Sequence, residues 1–97
     1  MRFDWDDEKN QLNLQKHGIA FEIAVTAFED PYAWVAPDWK HTTTVEFREI
    51  HIGKSDTGVI VLVFTRRDLG NVFRIISARA ANRKERKRYE QNTRIQL

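Results

Sequence analysis

Residues 59–64 read Val59-Ile60-Val61-Leu62-Val63-Phe64, six consecutive apolar side chains, and this stretch decides the fold. Side chains of a strand alternate between the two faces of a sheet, so a strand that is apolar on both faces belongs in the middle of a sheet. Further strand-like runs flank it at 45–53 and 72–78, and the central run extends to 66. The links between them are short and turn-rich, which predicts an antiparallel three-stranded meander.

Helical patterns precede this meander. Acidic residues lead into a helix predicted over 6–17, and Gly18 supplies the glycine of a helix end. A second short helix is predicted over 21–28, because Phe21, Ala24, Val25 and Phe28 would share one helical face. Asp30-Pro31 ends this helix.

The remaining segments complete the predicted fold. Residues 32–35 allow a short fourth strand, whereas 37–41 read as a loop. Asn82 and Glu85 form a predicted capping pair for a basic helix that runs to about 90, followed by a frayed tail. The fold class is therefore α+β: two N-terminal helices, an antiparallel meander sheet of three to four strands and a C-terminal helix. We expect one domain over 1–97, with an ordered core of about 3–90.

Composition excludes several classes of protein. The chain has 97 residues and no cysteine, so disulfides and thiolate metal sites are excluded. It has no apolar signal core and no run long enough to span a bilayer, which predicts a soluble cytoplasmic protein without a membrane partner. There is no Gly-rich phosphate loop and no nucleophile elbow, so no nucleotide cofactor is expected. The three histidines lack metal-ligand spacing, and no metal is expected either.

Charge is distributed unevenly along the chain. Residues 66–97 contain ten Lys/Arg and three Asp/Glu, whereas residues 1–65 contain six and eleven. The C-terminal part is therefore suited to a polyanion such as RNA.

The predicted register brings arginines onto the sheet. A symmetric first hairpin sets Arg48 opposite Phe64, and a second hairpin with one bulged residue brings Ile75 alongside them. That face then carries Arg48, Arg66, Ser77 and Arg79 with Ile50, Leu62, Phe64, Phe73 and Ile75. Without the bulge, Arg74 replaces Arg79, because strand side chains alternate with a period of two.

These arginines have two interpretations. A partly dehydrated guanidinium on an apolar sheet can bind phosphate oxygens bidentately. Alternatively, the arginines form sheet-edge salt bridges with Glu46, Glu49 and Asp68.

Two further side chains are candidates for proton transfer. His17, at the end of the first helix, is a possible acid or phosphate ligand, or simply a helix cap. Tyr89 could stack a base, protonate a leaving oxygen or serve as a core tyrosine. Lys9, Asn13, Lys16 and His17 could share one stripe of the first helix.

Several segments together resemble a known family. They are Phe3-Asp4-Trp5-Asp6, Lys9, Asn13, Lys16-His17-Gly18, Phe21, Phe28, Asp30-Pro31, Arg48, Ile52-Gly53, Arg74-Ile75-Ile76-Ser77-Ala78-Arg79, Glu85-Arg86 and Tyr89. Over about residues 3–90 the chain resembles the BrnT family of toxins. The segment holding Trp34, Pro37 and Trp39 departs from the resemblance, and no functional residue carries over there.

The resemblance implies a RelE-like fold and a bacterial type II toxin that cleaves RNA and blocks translation. It also implies a cognate BrnA antitoxin, a ribbon-helix-helix protein that neutralises the toxin and binds the operator DNA. The toxin itself would contact this DNA only indirectly, through the antitoxin.

RNA cleavage without a metal drives the ribose 2′-hydroxyl into the adjacent phosphate, which needs a base, charge stabilisation and an acid. The predicted catalytic residues are His17, Arg48, Arg66, Arg79 and Tyr89, with Glu46 in reserve for proton transfer. The predicted RNA-binding residues are Lys16, Lys54, Arg67, Arg83 and Arg86. A non-catalytic RNA-binding or regulatory module is the alternative, and a DNA-binding protein fits less well because no helix-turn-helix is evident.

Overall fold

The structure, a computed structural model, describes residues 2–96. Its elements are β1 (Arg2–Asp4), α1 (Asp7–His17), α2 (Phe21–Ala24), a 3₁₀-helix (Val25–Glu29), β2 (Trp34–Pro37), β3 (Arg48–Ser55), β4 (Gly58–Arg67), β5 (Val72–Ala80) and α3 (Arg83–Gln96). The five strands form one sheet in the order β1-β5-β4-β3-β2, and β4 lies at its centre as predicted. Within residues 2–96, no helix is both long and apolar enough to cross a bilayer.

The sheet differs from the predicted meander in number and direction of strands. It has five strands rather than three or four, and β1 runs parallel to β5, so the sheet is mixed rather than purely antiparallel. β1 was missed because three residues are too few to show a period. Tertiary contacts define it: the ring of Phe3 stacks on Phe28 at 5.1 Å between centroids and meets Phe73 edge-on at 6.2 Å.

Several helix and strand boundaries also differ from the predicted ones. The predicted helix over 21–28 is split into α2 and the 3₁₀-helix. β3 begins at Arg48 rather than 45, because residues 43–46 form a turn in which the Thr43 N–H donates to the Glu46 carbonyl at 2.9 Å. The predicted short strand is present as β2 but runs over Trp34–Pro37 rather than 32–35. Pro37 therefore belongs to the strand and not to the predicted loop, and it lies at the sheet edge, where a residue without an N–H is tolerated.

Helix α1 agrees with its predicted limits, and polar side chains attach it to the sheet. Gly18 ends the helix in the left-handed conformation with φ 73°, and its N–H donates to the Leu14 carbonyl. The buried Asn13 accepts from the Ala78 N–H at 3.1 Å and donates to the Ala78 carbonyl at 2.9 Å. Asn13 therefore takes the place of a neighbouring strand at the edge of β5, beyond the end of β1.

Helix α3 begins with the predicted capping pair. The Glu85 N–H donates to Asn82 Oδ1, and the Asn82 N–H donates to Glu85 Oε1, both at 2.9 Å. The helix extends beyond its predicted end at about 90: α3 continues to Gln96, and Asn92 donates to the carbonyls of Tyr32 and Ala33 at 2.9 and 3.2 Å.

The two faces of the sheet are covered unequally. The main core fills one face, beneath α1, α2 and the 3₁₀-helix, with Phe21, Leu62 and Phe64 fully buried. A smaller cluster around Ile52 and Val61 lies beneath α3 on the other face. Since α3 covers only part of this second face, the rest of it remains open.

Candidate active site

The open part of the second face forms a cleft of about 360 Å³. Its floor is aliphatic and consists of Ile50, Val61 and Val63. The link between β2 and β3 contributes Asp38, Lys40 and His41, and β5 and α3 contribute Ser77, Arg79 and Glu85. Polar groups from opposite sides thus meet over an apolar floor.

Asp38 and His41 form a hydrogen-bonded pair in this cleft. Asp38 Oδ2 lies 2.9 Å from His41 Nδ1. The Asp38 side chain is 6% exposed, whereas that of His41 is 55% exposed. His41 Nε2 makes no hydrogen bond to any residue from 2 to 96. A buried carboxylate that holds one ring nitrogen orients the imidazole and leaves the other nitrogen available for proton transfer.

A tight turn positions this pair. The Asp38 N–H donates to the Arg48 carbonyl at 2.8 Å, and the Asp38 carbonyl accepts from the N–H groups of His41 and Thr42. The Thr42 hydroxyl accepts from the Arg48 N–H at 2.9 Å. The turn is therefore attached to the first residue of β3 at both of its ends.

Arg79 and Glu85 face the cleft as a bidentate ion pair. Arg79 donates from Nη1 and Nη2 to the two carboxylate oxygens of Glu85 at 2.7 and 2.8 Å. The hydrogen bond from Arg79 lowers the pKa of Glu85, and the same bond raises the pKa of Arg79, so both groups are ionised. A guanidinium has five N–H donors. The fork with Glu85 uses two and the Ala80 carbonyl, 3.4 Å from Nη1, takes a third, so Arg79 keeps two donors for a phosphate.

The predicted arginine face is wrong in its register. Arg48 pairs with Thr65 rather than Phe64, a shift of one residue that places Arg66 on the opposite face of the sheet. The predicted bulge is confirmed, because the β4–β5 register shifts between Val63 and Phe64. The open face therefore carries Arg48, Arg74, Ser77 and Arg79 with Ile50, Val61 and Val63, whereas Arg66 shares the other face with Leu62, Phe64, Phe73 and Ile75.

The predicted convergence of Arg48, Arg66 and Arg79 in one hollow is wrong as well. Arg48 Nε donates to Glu46 at 2.7 Å, outside the cleft lining. Arg66 Nε donates to Glu49 at 2.7 Å, and its guanidinium lies 4.9 Å from the centroid of the Phe73 ring. Both arginines thus form the expected ion pairs with Glu46 and Glu49, whereas Asp68 pairs with Arg2, and of the three arginines only Arg79 lines the cleft.

His17 lies in a separate groove of about 280 Å³, lined by Lys9, Leu12, Asn13, Lys16, His17, Ile76 and Ser77. The predicted stripe of α1 does share this groove, although Asn13 within it is buried and serves the fold. Ser77 lines both hollows, so this groove adjoins the cleft along β5.

Tyr89 is not in the cleft. Its hydroxyl donates to Asp30 Oδ2 at 2.6 Å, and its ring packs on the cluster beneath α3. Burial raises the pKa of Tyr89, as does the hydrogen bond to Asp30. Burial alone would raise the pKa of Asp30, but hydrogen bonds from Tyr89 and from the N–H groups of Lys54 and Tyr32 together lower it. These contacts indicate a structural role for Tyr89.

The predicted RNA-binding residues are dispersed. Arg83 and Arg86 are exposed on α3. Arg67, 52% exposed, lies 3.8 Å from a carboxylate oxygen of Glu46, and Lys54 is exposed near the opposite end of β3. None of these four lines the cleft.

The remaining histidine is structural. His51 is buried, and its Nε2 lies 2.8 Å from the Ala27 carbonyl. Burial lowers the pKa of His51, which favours the neutral ring.

The family model of the ribonuclease toxin BrnT, of type II toxin-antitoxin systems, matches residues 5–85. The chain belongs to this family. The matched segment includes every residue of the cleft, from Asp38 to Glu85. No curated protein shows a significant match.

Sequence reasoning missed the two most distinctive polar groups of this BrnT chain, Asp38 and His41. Both fall in the segment 37–41, for which the sequence predicts a loop and the resemblance carries over no functional residue. The available signal was the spacing of three between an aspartate and a histidine directly after a strand, which allows the two side chains to meet across one turn.

Proposed function

We propose that this BrnT chain is a metal-independent endoribonuclease that cleaves single-stranded RNA in the cleft between α3 and the turn at residues 38–42. One observation carries the proposal: an imidazole held by a buried carboxylate and a guanidinium with spare donors line the same open cavity. Membership of a family of ribonuclease toxins supports the assignment.

The proposed reaction needs no group beyond the protein, the RNA and water. His41 accepts the proton of a ribose 2′-hydroxyl through Nε2. The O2′–P bond forms while the P–O5′ bond breaks, and the departing 5′-oxygen takes a proton from water. The hydroxide that remains takes the proton back from His41, which restores the site. The products are a 2′,3′-cyclic phosphate and a 5′-hydroxyl. A positioned proton-transfer group contributes roughly 10²- to 10⁴-fold to such a rate.

Arg79 stabilises the negative charge that develops on the phosphate. Its contact with Glu85 holds the guanidinium at the cleft wall, so its remaining N–H groups need little reorganisation when RNA binds. The exposed cations of α3, which include Arg83 and Arg86, attract the RNA backbone at longer range.

The test compares two histidines of the same chain. Purified protein is incubated with a defined single-stranded RNA and EDTA, and the product ends are identified. His41→Ala is expected to lower kcat by about 10²-fold or more. His17→Ala, an exposed histidine outside the cleft, is the matched control and is expected to cleave like the wild type. Loss of cleavage in His17→Ala but not in His41→Ala rejects the assignment.

A second substrate tests the nucleophile. An RNA with a single 2′-deoxyribose 5′ of the scissile phosphate lacks the attacking hydroxyl and is expected to resist cleavage at that position only. Cleavage there at the normal rate, or cleavage that EDTA abolishes, contradicts the proposed reaction.

The biological setting follows from the same proposal. Cleavage of cellular RNA inhibits translation in the cytoplasm, and a BrnA-like ribbon-helix-helix antitoxin neutralises the toxin and links it to operator DNA. Growth arrest on expression, relieved by a neighbouring ribbon-helix-helix protein, is the expected result in cells.

A non-catalytic RNA-binding module is the second candidate. It is favoured by the carboxylate partners of Arg48, Arg66 and Arg79, which leave the exposed cations of α3 to provide affinity without chemistry. Tight RNA binding without products, under conditions in which His41→Ala changes nothing, would support this module over the enzyme.

A further inference from the structure

Trp39 is unusually exposed for its residue type. Its side chain and backbone together are 72% exposed, although tryptophan is highly buried on average. The indole packs edge-on against Phe47, itself 44% exposed, with 5.5 Å between ring centroids and 64° between ring planes. The pair presents aromatic surface to solvent and adds nothing to either core cluster.

The position of this pair is set by the backbone around it. Trp39 lies within the turn that holds Asp38 and His41 in the cleft, and its other neighbour, Lys40, lines the cleft too. The Phe47 carbonyl accepts from the Thr65 hydroxyl at 2.8 Å, which fixes the supporting residue against β4. Trp39 therefore lies between two residues of the cleft lining, in a turn that backbone hydrogen bonds hold in place.

A second hollow continues from the pair on its other side. It measures about 300 Å³, and its lining includes Phe47, Arg66 and Arg67. Charged side chains thus lie on both sides of the aromatic pair. The cleft holds Lys40 and Arg79 beside Asp38 and Glu85, and the second hollow holds Arg66 and Arg67 beside Glu49 and Glu46. Exposed aromatic faces beside guanidinium and ammonium groups are typical of surfaces that bind single-stranded nucleic acid, where bases stack and phosphates meet cations.

We propose that Trp39 stacks a nucleobase of the RNA substrate next to the phosphate held in the cleft, with Phe47 as its support. This inference rests on the proposed function for its substrate class, and it adds a binding residue that the reaction itself does not need. Because every base has a π-face, the contact raises affinity with little dependence on sequence.

The experiment measures binding apart from cleavage. A fluorescent single-stranded RNA with one 2′-deoxyribose at the scissile position is titrated with the full chain. Trp39→Ala is expected to weaken binding by about 5- to 150-fold, the usual worth of one stacked base. Trp39→Phe keeps an aromatic face and is expected to recover most of the affinity, and Phe47→Ala is expected to show a smaller loss.

Leu69→Ala provides the matched control. Leu69 is fully exposed and lies in the β4–β5 turn, so its truncation removes exposed apolar surface at a different site. It is expected to bind RNA like the wild type. Thermal unfolding of each variant checks that the turn at 38–42 has kept its structure.

An abasic scan identifies the stacked nucleotide. Removing one base at a time from the RNA is expected to reveal one position whose loss weakens wild-type binding as strongly as Trp39→Ala does. At that position the abasic RNA is expected to bind Trp39→Ala no worse than the intact RNA does, because the two changes remove the same contact.

The outcomes separate this inference from the proposed nuclease. Equal RNA affinity for Trp39→Ala and the wild type overturns the stacking role, even if the wild type cleaves RNA. Trp39-dependent binding by a protein that never cleaves overturns the nuclease and keeps the stacking role. If Trp39→Ala spares RNA binding but weakens binding of a ribbon-helix-helix antitoxin, the pair is a protein contact and the stacking proposal is rejected.

Discussion

Asn13→Ala offers a sharp test of how α1 is joined to the sheet. Asn13 is 7% exposed. Its Nδ2 donates to the carbonyls of Ile19 and Ala78 at 2.8 and 2.9 Å, and its Oδ1 accepts from the Ala78 N–H at 3.1 Å. Alanine leaves these three backbone groups without their partner.

The expected cost follows from that count. An unsatisfied buried polar group costs about 1–3 kcal/mol, so three groups that water can reach in part are expected to cost about 3 kcal/mol in the free energy of unfolding. A domain of this size loses roughly 10–20 °C in Tm for such a change. Urea denaturation gives the free energy, and hydrogen exchange of the Ala78 amide reports the local bond.

Two companion variants sharpen the test. Asn13→Asp replaces the side-chain NH₂ group with a carboxylate oxygen, which faces the carbonyls of Ile19 and Ala78 and cannot donate to them. At pH 7 it is therefore expected to lower the free energy of unfolding at least as much as alanine does. Lys16→Ala, at an exposed position of the same helix, is expected to stay within about 0.5 kcal/mol of the wild type. A loss below about 1 kcal/mol for Asn13→Ala, with the Ala78 amide as protected as before, would refute the reasoning.

Three further predictions follow from other contacts. Tyr89→Phe removes the hydroxyl that donates to Asp30, so it is expected to cost about 1 kcal/mol of stability at pH 7 while leaving RNA cleavage unchanged. Because the pKa of Asp30 is lowered, this loss is present at neutral pH and fades as the pH falls through that pKa. Gly53→Ala places a Cβ 2.9 Å from Nε2 of the buried His51 and 3.1 Å from the Ala27 carbonyl oxygen. Thermal unfolding is therefore expected to show a loss of about 1–3 kcal/mol in the free energy of unfolding. Arg79→Lys keeps the charge but loses the fork with Glu85, and cleavage assays are expected to show about a 10²-fold lower kcat.

Each of these has a defined contrary result. If Tyr89→Phe abolished cleavage without lowering stability, the Tyr89 hydroxyl would have a catalytic role and the structural assignment would be wrong. An unchanged Tm for Gly53→Ala would show that the backbone can yield there. The control for Arg79→Lys is Arg66→Lys, since Arg66 is also paired with a glutamate but lies on the opposite face. Equal losses of cleavage in both lysine variants would contradict a specific role for Arg79.

Much of the fold was predictable because its signals are local. The apolar run of β4 identifies a central strand by composition alone, and Gly18 ends α1 through its own conformational freedom. The reciprocal bonds of Asn82 and Glu85 lie within one turn of helix, so their spacing in the sequence was sufficient to predict them. Family membership was predictable for a similar reason, since several short segments resembled the family together.

The site was less predictable, because it depends on contacts between distant parts of the chain. Asp38 and His41 acquire their geometry from a turn that is bonded to the backbone of Arg48. Tyrosine is a residue type that can transfer protons in catalysis, but the Tyr89 hydroxyl donates a hydrogen bond to Asp30, which is 59 positions away in the sequence.

The sequence by itself determined the α+β class, the central strand, the helix caps, the basic C-terminal part and the family. Only the tertiary structure decided which side chains share a face. A shift of one residue between β3 and β4 moves Arg66 away from Arg48 and Arg79, since a strand reverses its faces at every residue. Strand register is set by how the whole sheet packs, and no local pattern encodes it. The residues that line the cleft could therefore be identified only from the tertiary structure.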